Sequence, residues 1–416
     1  MKIAIVSKAD AAGGGASRVA EELGRHLRSA DVEAVHFAAW GSRFDADLRP
    51  IYGCLAARKA TLLAHKTSRK IGFGESVPFE LPAALLALRG FDLVHFHDTS
   101  STFSPVTLLA ASRMMPLVWT FHDCSPFTGG CIYPQMAGCE RYKTGCGKCP
   151  MTGEWPLDGK LDFTALSLSL RRRLHRRPNV HSVVPSAWMR DVAWASGSLV
   201  REPTIISNMV DSQALRPVED RAGLRRRLGI EEDRLVLIAS SGNVDDPRKG
   251  IRDSLSAASG LSHANPLVIL LGAPDRRVHE QSRGVEFLST GYVSDRRELC
   301  EWLTAADAFL FTSKADNQPL SILESFACGT PVYGWPTGGA SEMVEDGVDG
   351  RLVAGRDPAA LAAVISEDWR TGRMAAMRAA ARQTAVSKFG SASFVADHLA
   401  LYQKALGDRL EHETYQ

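Results

Sequence analysis

The sequence predicts an α/β protein with two domains, each built on a parallel sheet covered by helices. Short apolar runs alternate with longer amphipathic runs along the chain, and this alternation restarts near residue 200. The length of 416 residues is also more than one typical core accommodates. Sheets of this kind bind ligands beyond the carboxyl ends of their strands, so the residues after each strand indicate function first.

The apolar runs predict buried strands in each half of the chain. In the first half they are residues 3–6, 35–39, 93–96, 117–121 and 180–184. In the second half they are residues 204–207, 235–240, 267–271, 308–312 and 331–334. Amphipathic segments between them, such as residues 16–28 and 105–113, predict helices. We therefore assign residues 1–195 to the first domain and residues 196–390 to the second.

The composition argues against several classes of protein. The net charge is +2, which gives no bulk attraction to nucleic acid. The hydrophobic fraction is 45% and the charged fraction 23%, as in ordinary soluble globular proteins. We find no apolar run long enough to predict a transmembrane helix and no secretory signal at the start. These features predict a cytoplasmic protein, in which disulfides are rare.

Three glycines, Gly13, Gly14 and Gly15, form a loop after the first predicted strand and before a helix. A loop of this kind lets backbone N–H groups approach an anion at the helix N-terminus, although a simple tight turn is the alternative. The dinucleotide-binding motif needs a third spaced glycine, and Arg18 stands there. We therefore do not expect NAD binding.

The segment at residues 316–332, DNQPLSILESFACGTPV, carries the most information about function. Asp316 follows a predicted strand, Pro319 opens a helix, and Glu324 lies in its early turns. Carboxylates accept hydrogen bonds from sugar hydroxyls, and a helix N-terminus favours a diphosphate. Together these groups describe a site for a sugar nucleotide. The alternative is that each acid is a helix cap or a solvated surface charge.

The segment DDPRKG at residues 245–250 follows another predicted strand. Arg248 and Lys249 there could bind the same diphosphate, unless the segment is only a surface turn. His122 also follows a strand, and a lone histidine is as often structural as functional.

These motifs together resemble glycosyltransferase family 4, a large retaining family with the GT-B fold that includes glycogen and sucrose synthases. The likeness extends to PSAWM at residues 185–189, NMVD at 208–211 and GGASE at 338–342. The resemblance implies two Rossmann-like domains that face a central cleft. It also implies that the helix at residues 391–416 returns to the N-terminal domain, that this domain binds the acceptor, and that the C-terminal domain binds the donor.

The resemblance implies roles for individual residues. Glu324 would hold the nucleotide ribose, Asp316 and His122 the transferred sugar, and Lys249 the diphosphate. The full donor-binding set would be Gly13, Gly14, Gly15, Asn243, Arg248, Lys249, Asp316, Asn317, Pro319, Leu320 and Glu324. Three positions depart from the family pattern, since Asp316 replaces a glutamate, Asn243 an arginine and Met209 a glycine.

The implied activity is that of a retaining hexosyltransferase. It would move a sugar from a UDP- or GDP-linked donor to a hydroxyl of a glycan or lipid-linked oligosaccharide in bacterial surface polysaccharide synthesis. No catalytic metal and no nucleic acid are expected. Two alternatives are a sugar-nucleotide epimerase of similar fold and a non-catalytic, zinc-bearing binding protein.

The Cys-rich loop, residues 124–150, holds five of the eight cysteines in the chain. It resembles the branch of the family similar to colanic-acid transferases. Four of these cysteines have the spacing C-x7-C-x6-C-x2-C, namely Cys131, Cys139, Cys146 and Cys149. This spacing fits a closed, structural zinc site, while an iron–sulfur cluster, disulfides and free thiols are the alternatives. The remaining cysteines, Cys54, Cys124, Cys300 and Cys328, are expected to pack in the core.

A run of arginines, SLRRRLHRRPNV, follows this loop in the sequence. It contains Arg171, Arg172, Arg173, Arg176 and Arg177. The run predicts either a solvated helix face or peripheral attachment to an anionic membrane surface.

Overall fold

The computed structural model describes residues 1–42, 44–242, 246–272 and 284–414. Backbone contacts divide the chain into two units. Unit 1 comprises Met1–Ser207 and Ala392–Gln416, and unit 2 comprises Asn208–Ser391. Each unit is built on one parallel sheet, which confirms the predicted fold class.

The sheet of unit 1 has the strand order β3-β2-β1-β4-β5-β6-β7. Its strands are β1 (Lys2–Ala9), β2 (Glu33–Trp40), β3 (Leu48–Pro50), β4 (Leu93–Phe96), β5 (Leu117–Thr120), β6 (Val180–Val184) and β7 (Thr204–Ile205). The strands β4 and β5 are buried along their whole length because helices cover both faces of the sheet. The order reverses between β1 and β4, which places a ligand-binding crevice at their carboxyl ends.

Helices connect these strands in unit 1. They are Gly15–Ser29, Leu55–Ile71, Leu81–Ala87, Pro105–Ala111, Arg141–Thr144, Thr164–His175, Ala187–Ala195 and Ser391–Thr414, with 3-10 turns at Ala11–Gly13, Ser125–Phe127 and Pro134–Ala137. Residues 121–163 between β5 and the helix Thr164–His175 contain only short helices, so this connection depends on other contacts for its order.

The sequence placed the domain boundary too early. The run at residues 204–207 was predicted to be the first strand of the second domain. It instead forms β7, which pairs in parallel with β6 at the edge of the first sheet. Two ladder pairs, Val183 with Thr204 and Val184 with Ile205, hold it there, so unit 1 continues to Ser207.

The last helix, Ser391–Thr414, belongs to unit 1 apart from its first residue. Its buried residues Phe394, His398, Leu401, Tyr402 and Ala405 recur at helical spacing, which forms one face that packs on the unit. The helix returns to the N-terminal part of the chain, as the resemblance implied.

The sheet of unit 2 has the order β10-β9-β8-β11-β12-β13. Its strands are β8 (Val236–Ser240), β9 (Leu267–Leu271), β10 (Glu286–Gly291), β11 (Ala308–Phe311), β12 (Val332–Gly334) and β13 (Gly350–Leu352). Alternate residues of β8 enter two separate cores, Val236 and Ile238 on one face and Leu237 and Ala239 on the other. The sheet is therefore buried on both faces.

Unit 2 has helices on both sides of this sheet. They are Arg221–Arg227, Ile251–Ser259, Arg296–Ala305, Leu320–Ala327, Ala340–Met343, Pro358–Arg370 and Arg373–Lys388, with 3-10 turns at Ser262–Ala264 and Ala354–Arg356. Across the described ranges of both units, no helix is both long and apolar enough to span a bilayer.

Candidate functional site

The strand order of unit 2 reverses between β8 and β11, which are neighbours in the sheet. The chain leaves β8 toward β9 on one side, and it leaves β11 toward β12 on the other. The two connections diverge at the carboxyl ends of these strands and leave a crevice between them. Residues 246–250 of the first segment singled out in the sequence and residues 316–332, the second, follow these two strands.

An ion pair joins the two segments at the crevice. The Lys249 Nζ atom lies 2.6 Å from Asp316 Oδ2, and Arg248 Nη1 lies 3.6 Å from the same oxygen. Arg248 also donates a hydrogen bond of 3.0 Å to the Ala315 carbonyl. The structure thus brings together three of the predicted donor-binding side chains, two cations and one carboxylate.

Two glycines allow the backbone to approach this closely. A Cβ at Gly250, whose φ is +68°, would lie 2.0 Å from the Thr312 carbonyl oxygen. A Cβ at Gly338, whose φ is +60°, would lie 1.9 Å from the Asp316 carbonyl oxygen. Any other residue at either position would push the loops apart. The sequence flagged both glycines only as parts of motifs, because the close approach follows from the tertiary structure.

The electrostatics keep Asp316 charged in spite of its burial. Burial raises the pKa of its carboxyl group, but the charges of Lys249 and Arg248 outweigh that effect. Hydrogen bonds from Lys249 and from the Asn317 backbone act in the same direction, so the pKa lies below its ordinary value. Asp316 is therefore a hydrogen-bond acceptor at neutral pH.

The loop before the helix Leu320–Ala327 is fixed by its neighbours. The Asn208 backbone N–H donates to Gln318 Oε1 at 2.5 Å, and Asn208 Nδ2 donates to the Gln318 carbonyl at 3.1 Å. The Gly339 N–H donates to the Asn317 carbonyl at 2.7 Å. These contacts hold Asn317 and Gln318 in place, although the sequence analysis gave Gln318 no role.

The helix Leu320–Ala327 presents its N-terminus to the same loop. Pro319 is the N-cap with an extended backbone, and the helix begins at Leu320, one residue after the predicted start. Gly329, at φ +68°, follows the C-cap and ends the helix. Glu324 lies half-buried on the second turn. The predicted site residue Asn243 lies outside the described residues.

In unit 1, two histidines meet at the carboxyl ends of neighbouring strands. His97 follows β4 and His122 follows β5, and their ring nitrogens Nδ1 and Nε2 lie 3.1 Å apart. Burial lowers the pKa of His122 to about 4, and the charge of Asp98 opposes this only in part. Burial also lowers the pKa of His97. Both rings are thus neutral at physiological pH, and His122 offers a hydrogen bond rather than a charge.

The glycine loop of unit 1 opens the helix Gly15–Ser29. Gly14 is its N-cap at φ +112°, and a Cβ at Gly13 would lie 2.3 Å from the Ala9 Cβ atom. Asp10 anchors the preceding turn by accepting hydrogen bonds from the Ser42 backbone and hydroxyl at 2.6 and 2.7 Å. Gly14 and Gly15 are exposed, so their backbone faces solvent at the helix N-terminus.

Two family models match this chain, one on each half. The model described as Glycosyltransferase Family 4 matches residues 13–214, and that described as Glycosyl transferases group 1 matches residues 235–368. The chain belongs to glycosyltransferase family 4. Its GT-B fold agrees with the two parallel sheets described above.

Curated relatives of this family 4 chain cover part of it. A D-inositol 3-phosphate glycosyltransferase from Catenulispora acidiphila is 34% identical over 47% of this chain and 50% of that protein. WcaC of Escherichia coli, described as a putative glycosyl transferase of colanic acid biosynthesis, is 27% identical over 55% of this chain and 54% of that protein. The chain thus spans about half the length of these relatives.

A solved structure matches the family 4 chain over nearly its whole length. The Anabaena protein HepE, in complex with UDP and glucose, aligns with a TM-score of 0.67 over 97% of this chain and all of its own. The sequence identity is 18%, so the likeness concerns the fold.

The arginine run of this family 4 chain is not a uniform solvated face. Arg171 is buried, and its guanidinium lies 2.8 Å from the Glu75 carboxylate. Arg172 donates hydrogen bonds to the carbonyls of Tyr142, Lys143 and Thr144. The prediction that the whole run faces solvent or a membrane is therefore wrong for these two residues, since Arg171 pairs with Glu75 and Arg172 holds the preceding segment in place.

The isolated cysteines follow the core prediction with one exception. Cys124, Cys300 and Cys328 are buried, and the last two have sulfurs 3.5 Å apart. Cys54 is exposed, contrary to the prediction, because its sulfur caps the helix Leu55–Ile71 by accepting the Ala57 N–H at 3.5 Å.

Proposed function

We propose that this chain transfers a sugar from a nucleoside-diphosphate sugar to a hydroxyl group with retention of the anomeric configuration. The observation that carries the proposal is the Lys249–Asp316 pair at the crevice of unit 2. It sets a cation suited to a diphosphate beside a carboxylate suited to sugar hydroxyls. The complex of HepE with UDP and glucose supports a nucleotide sugar as the donor, UDP- or GDP-linked.

Each side chain at the crevice has a role in this proposal. Lys249 and Arg248 bind the diphosphate, Asp316 binds hydroxyls of the transferred sugar, and Glu324 binds the ribose. The helix N-terminus at Leu320 adds positive potential for the diphosphate. In this structure Lys249 pairs with Asp316, so a bound diphosphate competes with that carboxylate for the ammonium group.

The charged event in the reaction is the departure of the nucleoside diphosphate. The bond from the anomeric carbon to the phosphate oxygen breaks, and a bond to the acceptor oxygen forms on the same face of the sugar. The acceptor proton passes to the departing phosphate oxygen, so the scheme uses no protein base. Lys249 and Arg248 stabilise the negative charge that develops on the diphosphate, and we assign that role to them rather than to a divalent ion.

The acceptor side belongs to unit 1 in this proposal. A ligand is expected at the carboxyl ends of its strands, where His122, assigned to the transferred sugar, also lies. The likeness to WcaC favours a glycan or lipid-linked oligosaccharide of bacterial surface polysaccharide, at the cytoplasmic face of the membrane. Arg173 and Arg176 are exposed and are the members of the arginine run suited to an anionic surface.

The donor assignment is tested by a thermal-shift screen with UDP-, GDP-, ADP- and dTDP-sugars. We expect one nucleotide class to raise the melting temperature of the wild-type chain, because a ligand that binds only the folded state stabilises it. Glu324→Ala removes this shift, while Glu231→Ala, an exposed acid before β8, retains it. A nucleotide shift that survives Glu324→Ala contradicts the assigned role of Glu324.

The reaction itself is tested by turnover with the donor found in that screen. The expected product is a glycosylated acceptor whose anomeric configuration, read by NMR, equals that of the donor. Conversion of the donor to an epimer without acceptor use would favour an epimerase. Absence of a shift with every nucleotide would favour a non-catalytic binding protein.

Membrane attachment is tested with Arg173→Gln/Arg176→Gln. We expect lower activity on a lipid-linked acceptor in anionic vesicles and unchanged activity on a soluble analogue. Equal activity of the variant and wild type on both acceptors argues against attachment through these arginines.

A further inference from the structure

Residues 121–163 form a long connection that is ordered without much regular structure. Its helices are Ser125–Phe127, Pro134–Ala137 and Arg141–Thr144, none longer than four residues. Several of its side chains are nevertheless buried, among them Phe127 and Tyr142. Short helices of this kind do not stabilise themselves, so other interactions must hold the connection in place.

The segments that carry Cys131, Cys146 and Cys149 meet at the start of the helix Thr164–His175. A Cβ at Gly129, two residues before Cys131, would lie 2.6 Å from the Thr164 carbonyl oxygen, so the chain there packs directly on Thr164. The turn between Cys146 and Cys149 is hydrogen-bonded to Thr164 and to Asp162. All eight thiols of the chain are free, so no disulfide accounts for this arrangement.

Backbone N–H groups point at three of these four sulfurs. Cys131 accepts a hydrogen bond from the Tyr133 backbone, and Cys149 accepts one from the Met151 backbone. In both cases the donor lies two residues after the cysteine. Cys146 accepts a third bond, from the backbone of Gly129. Backbone N–H groups directed at sulfur are typical of the surroundings of metal-bound cysteine.

The turn between Cys146 and Cys149 is built for close approach of its two sulfurs. Gly147 and Lys148 have φ values of +114° and +49°, which fold the chain tightly between the cysteines. The Gly147 N–H donates to Thr164 Oγ1 at 3.0 Å. The Cys149 N–H donates to Asp162 at 2.7 Å. The helix start at Thr164 thus anchors this turn.

We propose that Cys131, Cys139, Cys146 and Cys149 bind one zinc ion as four thiolates, which fixes the connection between β5 and the helix Thr164–His175. Zinc with four thiolates is tetrahedral, with bonds of about 2.3 Å and sulfurs about 3.8 Å apart. Within the described residues, no three of these sulfurs yet lie within 4.8 Å of one another, so the thiols turn inward on binding. Each cysteine has a single side-chain torsion for that movement.

One member of the arginine run, Arg172, lies beside the proposed site. Four thiolates and one zinc ion leave two negative charges in excess, which are costly unless cations lie nearby. Arg172 lines a groove next to Cys146. It also donates hydrogen bonds to the carbonyls of Tyr142, Lys143 and Thr144, between the second and third of the four cysteines. Arg172 thus places a cation close to the site and fixes the chain that leads into it.

The test is the metal content of the full chain, purified without added metal and passed through a desalting column. We expect one zinc per chain by inductively coupled plasma mass spectrometry. Single variants Cys139→Ser and Cys146→Ser lose the zinc and unfold at lower temperature. Cys54→Ser, the exposed helix cap, and Cys124→Ala, a buried thiol inside the loop, keep it.

A second measurement covers variants that fail to fold. The wild-type chain is exchanged into cobalt, and its absorption spectrum is recorded. Sulfur-to-cobalt charge transfer with a tetrahedral d–d band is expected. A folded wild-type chain without metal, whose eight thiols all react after unfolding, overturns the proposal. Disulfides found by mass spectrometry, or iron with visible absorption, overturn it as well. None of these readouts depends on sugar transfer, so they remain valid if the proposed activity fails.

Discussion

Two ion pairs in this protein each join a cationic side chain to a carboxylate, but they differ in how exposed their side chains are. Lys249 and Asp316 lie 2.6 Å apart with side chains 24% and 12% exposed. Arg171 and Glu75 lie 2.8 Å apart with side chains only 2% and 9% exposed. The first pair stands at the carboxyl ends of strands, where a ligand can replace one partner. In the second pair, both side chains are buried and neutralise each other. The clearest difference between the pairs is the exposure of the cation, since the Lys249 side chain is 24% exposed and the Arg171 side chain 2%.

Among the substitutions, the largest effect on stability is expected for the buried pair. Arg171→Met leaves the Glu75 charge without a partner and should lower the free energy of unfolding by about 3–5 kcal/mol. Urea unfolding followed by fluorescence measures this. The double variant Arg171→Met/Glu75→Gln should recover most of the loss, because the amide oxygen of the new glutamine side chain can still accept the hydrogen bond that the Ser101 N–H donates to Glu75 at 2.6 Å. Arg176→Met, at an exposed site nearby, is the control. Equal stability of Arg171→Met and Arg176→Met would contradict the claim that the buried pair stabilises the fold.

The pair of Lys249 and Asp316 is expected to affect activity strongly and stability little. Lys249→Met removes a cation that stabilises the departing diphosphate, and kcat should fall by about 100-fold or more. Its free energy of unfolding should change by no more than about 1 kcal/mol. The reason is that Arg248, 3.6 Å from Asp316 Oδ2, remains to pair with that carboxylate. Initial rates and urea unfolding of the same preparation test both claims. Lys388→Met, an exposed lysine of unit 2, should match wild type in both measurements.

Acid should affect the two units differently. Burial is the largest cause of a pKa lowered to about 4 in five histidines of unit 1, namely His36, His122, His175, His181 and His398. These groups are neutral when folded and take up protons near pH 6.5 when unfolded. Their contribution to stability is therefore complete above pH 6.5 and is lost as the pH falls toward 4, at about 1.4 kcal/mol per pH unit for each histidine.

The carboxyl groups of the two ion pairs modify this acid response. Burial raises the pKa of Glu75, so its contribution has the opposite sign and falls as the pH rises. The pKa of Asp316 lies below the ordinary value, so its contribution persists until more acidic pH. Hydrogen exchange measured by peptide at pH 7 and pH 5 should show unit 1 loosening first. Equal loosening of both units would contradict the assignment of neutral, buried histidines.

The smallest effect concerns the competition at the crevice. Asp316→Asn releases Lys249 from its partner, so affinity for the free nucleoside diphosphate should rise about twofold to fivefold. Sugar transfer should fall at the same time, because the variant loses the charged acceptor for sugar hydroxyls. Calorimetry with UDP and GDP tests the first claim and initial rates the second. Asp233→Asn, at an exposed position before β8, should change neither. Weaker diphosphate binding by Asp316→Asn would show that the resting pair does not compete with the ligand.

The sequence predicted that Lys249 and Asp316 lie close together, because residues that follow neighbouring parallel strands meet at one edge of the sheet. Lys249 and Asp316 are 67 positions apart, and both follow strands that became neighbours in the sheet. It could not predict the pairing of Arg171 with Glu75, which are 96 positions apart, because Glu75 follows no strand. Burial of an arginine leaves no trace in local composition.

Errors in the strand prediction have similar physical causes. The edge strands β3, β7 and β13 contain two or three residues each, too few for a periodic apolar pattern. Residues 204–207 were predicted as a strand but assigned to the wrong sheet. An apolar pattern predicts a strand but does not indicate which strand it pairs with. Cys54 was expected in the core by residue type, and its role as a helix cap depends on the backbone that follows it.

The return of the last helix to unit 1 has a consequence for synthesis of the chain. Its Tyr402 hydroxyl lies 2.7 Å from His95 Nδ1 in β4, although 307 positions separate the two residues. A ribosome releases all of Asn208–Ser391 before it releases Tyr402. The second unit can therefore complete its core during translation. Until the last helix is synthesised, the part of β4 around His95 lacks its partner. The first unit is therefore the last to complete its fold, although most of it is synthesised first. During that interval β4 remains partly exposed.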